Sequence, residues 1–152
     1  MKHFRFTLQA VLTVRLNQES KAMEAFASAQ TECQRIGARY QRIQDEIEQV
    51  FGMRRTVLRK AANSEDLQQM QQGLRALQET ERRCHVELQK AQANRDEKSR
   101  ALLEARQQRE VVEKIQQKQR TSFDAQVARA EQKAVDEFAT LKSIGSLALK
   151  WR

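Results

Sequence analysis

The sequence predicts an all-α protein: a long antiparallel two-helix coiled-coil hairpin, one unit over residues 1–152. Three observations predict it. The 152 residues contain no proline and only four glycines. Long stretches rich in Gln, Glu, Lys, Arg, Ala and Leu therefore run without a break, and all six residue types favour helix. Hydrophobic residues make up 39% and aromatics 5%, a poor supply for the core of a compact globular domain. The apolar residues that are present recur at alternating steps of three and four, the spacing of a narrow helix–helix seam. That seam also argues against disorder, the other reading of so polar a chain.

The first helix is expected over about residues 7–62. Thr7 is a candidate N-cap, with Phe6 before it placed to pack on Val11 as a hydrophobic staple. Phe4 and Phe6 form a short extended lead. From Cys33 the seam runs through Ile36, Tyr40, Ile43, Ile47, Val50 and Val57, with Arg54 as its one defect. The same register read backwards meets Ala29, Phe26, Ala22, Glu19, Arg15, Leu12 and Leu8. Two charged residues weaken it there, and Leu16 and Met23 lie beside it as replacements.

The turn is expected near residues 63–64. Asn63 or Ser64 can cap a new helix, and Glu65 and Asp66 suit its positive N-terminal end. The second helix is expected over about 65–144, with Leu67, Met70, Leu74, Leu77, Glu81, Cys84, Leu88 and Ala91 on its seam. After a polar stretch the seam resumes at Leu102, Ala105 and Val112. It then moves to Ile115, Gln119, Phe123, Val127, Ala130, Ala134, Phe138 and Leu141. Steps of four are commoner there, which relaxes a left-handed supercoil. Gly145 is a candidate C-cap, and residues 145–152 are a tail. Folded at residue 63, the shorter helix runs out opposite about residue 120, and the longer one overhangs by about 20 residues.

Composition excludes several classes of function. Histidines are two, His3 and His85, and no Gly-rich phosphate loop, CxxC or HExxH occurs. A two-helix coil has no concave pocket to exclude water. No enzyme activity, metal or cofactor is therefore expected. Cys33 and Cys84 would be offset by about 14 Å along the hairpin at the helical rise, too far for a disulfide, and read as reduced thiols of a cytosolic protein. The N-terminus lacks the apolar core of a signal peptide, and no run is apolar enough to span a membrane. The net charge of +8 favours an acidic partner in general terms. A zipper-type DNA binder needs a dense basic block entering a parallel coil. Here acids are interspersed with the bases, so no nucleic-acid partner is expected.

Two surface clusters stand out. Arg129, Gln132, Lys133, Asp136 and Glu137 share one face of the second helix, about 140° from the stripe Val127, Ala130, Ala134, Phe138 and Leu141. Solvent alone accounts for such a polar face, supported by Lys133 and Glu137 at i,i+4. The apolar stripe on the overhang asks for a partner. Near the turn, Arg54, Arg55, Arg59 and Lys60 cluster, with Phe51 and Leu58 seven apart on one face. A solvated tip and a small docking patch both fit these residues.

The ending "RAEQKAVDEFA" resembles the C-terminal signature of the FliJ family, stalk components of the bacterial flagellar export ATPase. The matching positions are Arg129, Gln132, Lys133, Asp136, Glu137, Phe138 and Ala139. The beginning "FRFTLQAVLTVR" is similar to that family's start, through Phe4, Phe6, Leu8, Val11, Leu12 and Arg15. The resemblance implies an antiparallel coiled coil whose end bearing both termini inserts into the pore of the hexameric export ATPase and promotes ring assembly. It implies contact with the cytoplasmic domain of the export gate and with export chaperones. It implies a cytoplasmic protein, held peripherally at the inner face of the membrane through the export apparatus without inserting in it. On that basis Arg129, Gln132, Lys133, Asp136, Glu137, Phe138, Phe6, Leu8, Leu12 and Arg15 are expected at the ATPase pore. Phe51, Arg54, Arg55, Leu58 and Arg59 lie outside the matched motifs and are offered as a gate or chaperone contact. Injectisome stalk proteins and generic coiled-coil scaffolds are the alternatives.

Overall fold

The computed structural model describes residues 3–60 and 63–149, and side chains up to Ser143. Two helices, α1 (Gln9–Arg59) and α2 (Ser64–Leu149), pack against each other as a helical hairpin. Among the described residues there is no strand. The chain divides into two compact units, residues 18–105, and residues 1–17 with 106–152.

In the unit of residues 18–105, the helices run antiparallel. Cys33 meets Arg95, Arg39 meets Glu87 and Gln44 meets Glu81, so partner numbers fall as α1 advances. The seam is the one the heptad spacing predicts. Ala29, Cys33, Ile36 and Ile43 on α1 and Leu74 and Cys84 on α2 are buried. Tyr40, Ile47, Leu88 and Ala91 pack around Ile36, Ile43 and Cys84. Cys84 is the tightest point, fully buried, with its thiol 3.9 Å from the Ile36 carbonyl oxygen. Both cysteines are free.

Three expectations change here. The seam does not lapse in the polar stretch of α2. Arg95 and Lys98 occupy the next seam positions and are half-buried, because long basic side chains lay their methylenes along an apolar groove and keep their charges wet. The Arg95 guanidinium turns out to Asp96 at 2.8 Å. Met23 does not fill in beside the seam and is 53% exposed: a single partner helix covers only the seam and not its flank. At the turn, the Asn63 carbonyl accepts from the Leu67 N–H at 3.4 Å, and its side-chain oxygen accepts from the Ser64 N–H. Asn63 is thus the residue that starts α2. The α1 helix closes earlier than residue 62, its last turn tightened by the Lys60 N–H on the Val57 carbonyl.

In the other unit, Phe4 meets Phe123, Thr7 meets Gln119 and Arg15 meets Gln108, again antiparallel. Among the described residues of this unit, Leu12 and Val112 are the buried ones. Arg15 sits half-buried at its predicted seam position and donates to Gln108 Oε1 at 2.6 Å. Arg109 is likewise drawn in, paired with Glu113 on its own helix. Leu16, expected beside the seam, is 45% exposed. The Thr7 hydroxyl is engaged across the hairpin with Gln119 and not as a cap. The first intrahelical bond runs from the Leu12 N–H to the Leu8 carbonyl, so helix starts one residue later than the candidate cap implied. Val11, the expected staple partner of Phe6, is exposed. The α2 helix continues through Gly145 to Leu149. A lone helical glycine costs about 1 kcal/mol relative to alanine, which does not by itself end a helix flanked by helix formers. Residues 150–152 of the expected tail lie outside the described residues.

Two tests follow from the unit of residues 18–105. A Cβ added at Gly37 would meet the Leu88 Cδ1 at 3.8 Å, an ordinary contact. Gly37→Ala should therefore stabilise the hairpin by about 0.5–1 kcal/mol, through the lower backbone entropy of the unfolded chain, read from urea unfolding midpoints. The second test concerns Tyr40. Its hydroxyl lies 3.4 Å from the Glu81 carboxylate and accepts from Gln44 Nε2 at 3.0 Å. Partial burial first, and the Glu81 charge second, push its pKa up. The folded value then stands above the unfolded value of about 10. Stability from keeping the phenol neutral is present below the unfolded value and lost as pH rises through the folded one. Tyr40→Phe should reduce the alkaline loss of stability, measured as the difference in urea midpoint between about pH 8 and about pH 11.

Candidate functional site

The α2 helix is 86 residues long and α1 is 51. This mismatch leaves part of α2 without a partner helix. The last ring contact across the hairpin is Phe4 on Phe123, centroids 5.7 Å apart and tilted by 54°. Val127 is still half-buried, and every residue from 128 to 143 is exposed. Phe138 is 75% exposed and Leu141 68%, with Val135 similarly bare. They lie on a helix because nothing local breaks it, and are uncovered because α1 and its lead have ended.

The polar residues of this stretch form the expected face. Arg129, Gln132, Lys133, Asp136 and Glu137 are all exposed. Their internal pairing differs from the expectation. Gln132 Nε2 donates to Asp136 Oδ1 at 2.9 Å, and Lys133 and Glu137 form no ion pair with each other. An exposed i,i+4 ion pair contributes only about 0.3–0.5 kcal/mol, too little to hold two long side chains together. Two shallow grooves flank the helix. One is lined by Ala134, Val135, Phe138, Ala139 and Lys142, the other by Asp136, Glu137, Thr140 and Leu141. One side of the exposed helix is thus chiefly apolar and the other mixed and acidic.

Before α1 begins, residues 3–8 alternate. His3, Arg5 and Thr7 are exposed, and Phe4, Phe6 and Leu8 are half-buried. A period of two is that of extended chain with one apolar side. Phe4 provides the ring on Phe123, and Phe138 is bare. Leu12 is buried and Leu8 half-buried as seam residues. An aromatic pair contributes about 0.5–1.5 kcal/mol, and an exposed hydrogen bond about 1 kcal/mol or less. Fixing each backbone residue costs about 1–2 kcal/mol. The lead is therefore held with little margin.

Near the turn, Glu48, Phe51, Arg54, Arg55 and Leu58 line an open groove. Phe51 and Leu58 are exposed. Among the described residues none forms an ion pair with Arg54, Arg55 or Arg59. Met23, Gln30, Gly37, Gln44, Phe51 and Leu58 are spaced by seven along α1, so the groove sits on one flank of the seam. A second shallow groove, lined by Tyr40, Glu81, Arg82, His85 and Val86, lies where the Tyr40 ring packs on His85 at 5.6 Å. Sequence patterning did not single out Tyr40 and His85 as surface; the signal was that His85 lies one place past the buried Cys84.

Among the described residues no cluster of His, Cys, Asp and Glu is arranged to hold a metal ion, and no helix is long and apolar enough to cross a membrane. A family model described as Flagellar FliJ protein matches residues 4–147. The chain belongs to the FliJ family. No curated protein and no solved structure matches it. Membership in the FliJ family carries a role related to flagellar export, as a structural component of the export machinery and not a known enzyme. The match includes both the aromatic lead and the exposed end of α2.

The exposed apolar residues of α2 contribute little to the fold. The double change Phe138→Ser with Leu141→Ser should leave the urea unfolding midpoint within about 0.5 kcal/mol of the parent. Leu12→Ala, by contrast, should cost about 2 kcal/mol or more.

Proposed function

We propose that this FliJ-family protein is the central stalk of a flagellar export ATPase. In this reading the uncovered end of α2 enters the pore of the hexameric ring and promotes its assembly and activity. The protein itself does no chemistry. One observation carries the proposal: α2 continues as helix beyond its last cross-hairpin contact, with Val135, Phe138 and Leu141 bare. Such a stripe suits burial against a partner, and in this reading the partner is the pore of the ring. The polar face of Arg129, Gln132, Lys133, Asp136 and Glu137 supplies contacts that are individually weak. Weak contacts exchange readily as the ring turns over ATP. Phe6, Leu8, Leu12 and Arg15 support that end by holding α1 against α2.

The groove of Phe51, Arg54, Arg55 and Leu58, with Arg59 beside it, is assigned to the cytoplasmic domain of the export gate or to an export chaperone. Its arginines suit an acidic surface. In this reading the protein acts in the cytoplasm, peripheral to the inner face of the membrane at the export gate. The flagellar description of the matched family favours this over an injectisome stalk or a generic scaffold.

The test is ATP hydrolysis by a purified flagellar export ATPase with and without this protein. Wild type should stimulate it. Lys133→Glu combined with Asp136→Lys should reduce stimulation several-fold at unchanged helicity, because both charges on the exposed face are reversed. Full stimulation by that variant would remove the pore assignment.

A further inference from the structure

The lead before α1 has more structure than its position requires. Residues 3–8 belong to no helix, and among the described residues no backbone–backbone hydrogen bond joins residues 3–7 to α2. They nevertheless lie flat on it, one side in and one side out. Phe4 covers Phe123, and the Thr7 hydroxyl meets the Gln119 side chain at 3.4 Å. Gln119, Phe123 and Val127 follow one another in steps of four, and the same face continues through Ala130, Ala134, Phe138 and Leu141. The lead therefore occupies the near end of the apolar stripe whose far end is bare.

We propose that residues 3–8 are a releasable strap, and that undocking Phe4 from Phe123 lengthens the apolar face that α2 offers a partner. Three features make release cheap. Among the described residues, the strap has no helical or sheet bond except the Leu8 carbonyl, which accepts from the Leu12 N–H and anchors its end to α1. Its one hydrogen-bonded link, Thr7 to Gln119, lies at the exposed surface. Its one ring contact is between two residues that are each only half-buried. Release costs little and uncovers Phe123, which is contiguous with the exposed stripe. A partner that grips α2 only over 128–143 leaves the strap closed; one that grips back to Phe123 opens it. The strap thus sets two lengths of engagement on a single helix without any change in the helix itself. The identity of the partner rests on the stalk reading above; the strap does not.

Arg5 makes the state of the strap measurable, because it lies within the segment and is exposed. Trypsin cleavage after Arg5 reports release, and cleavage after Arg35 and Arg39 reports general unfolding. Without any partner, Phe4→Ala should raise cleavage after Arg5 about tenfold and should increase fluorescence of the apolar dye ANS. Cleavage after Arg35 and Arg39 should not change. Equal Arg5 cleavage in the two proteins, or faster cleavage at all three sites, would overturn the strap. Added hexameric flagellar export ATPase should speed Arg5 cleavage of the wild type and bind Phe4→Ala several-fold more tightly. Slower Arg5 cleavage in the complex, or weaker binding of the variant, would show that the lead is part of the interface and not a competitor for it. If the ring binds neither protein, the stalk reading falls, and the dye and protease results still decide the strap.

Discussion

A hairpin of two helices has a single seam, and nearly everything in this protein depends on keeping its register. A helix in a larger bundle can lose one contact and retain others on a second face. Here each residue has one row of partners or none. The alternation of three and four therefore persists even where apolar residues run out. Arg15, Glu19, Arg95, Lys98 and Arg109 hold seam positions in an otherwise apolar line. Their methylenes do the covering and their charged ends reach polar neighbours, as Arg15 does with Gln108 and Arg95 with Asp96. Within each unit the seam is thus continuous in space although it is interrupted in composition.

The same constraint limits what the molecule can do. One seam makes no enclosed cavity among the described residues, and the surface becomes distinctive where the seam ends or its flank is apolar. Both situations occur. The α2 helix outlasts α1, and its apolar residues continue with nothing against them. Near the turn, Phe51 and Leu58 stand on the flank beside Arg54 and Arg55. The FliJ-family match gives these ends a context in flagellar export.

Much of this was legible along the chain. Among the described residues, Leu12, Ala29, Cys33, Ile36, Ile43, Leu74, Cys84 and Val112 are the buried ones, and each lies on the line that heptad spacing traces. The start of α2 was legible because Asn63 and the acids after it suit a helix N-terminus whatever lies nearby. The uncovered end was legible because arm lengths follow from where the turn falls. Less legible were details settled by which of several eligible side chains meets a neighbour, on its own helix or across the seam, and which meets solvent. Thr7 reads as a cap, yet its hydroxyl is taken by Gln119. Phe6 reads as a staple on Val11, yet Val11 is exposed and Phe4 packs on Phe123. Lys133 and Glu137 read as an ion pair, yet Asp136 is held by Gln132. Leu16 and Met23 read as reserves for a weak seam, yet they face solvent.

The sequence by itself determined the helical state, the register and the inequality of the two arms, since these depend on periodicity and on one strong start signal, both local. Only the tertiary structure decided which side chain of an eligible pair makes a contact and which charged residues are drawn into the seam. It also decided how far the aromatic lead lies along α2. Those outcomes depend on distances between residues about a hundred positions apart, such as Thr7 and Gln119, and no local pattern encodes them.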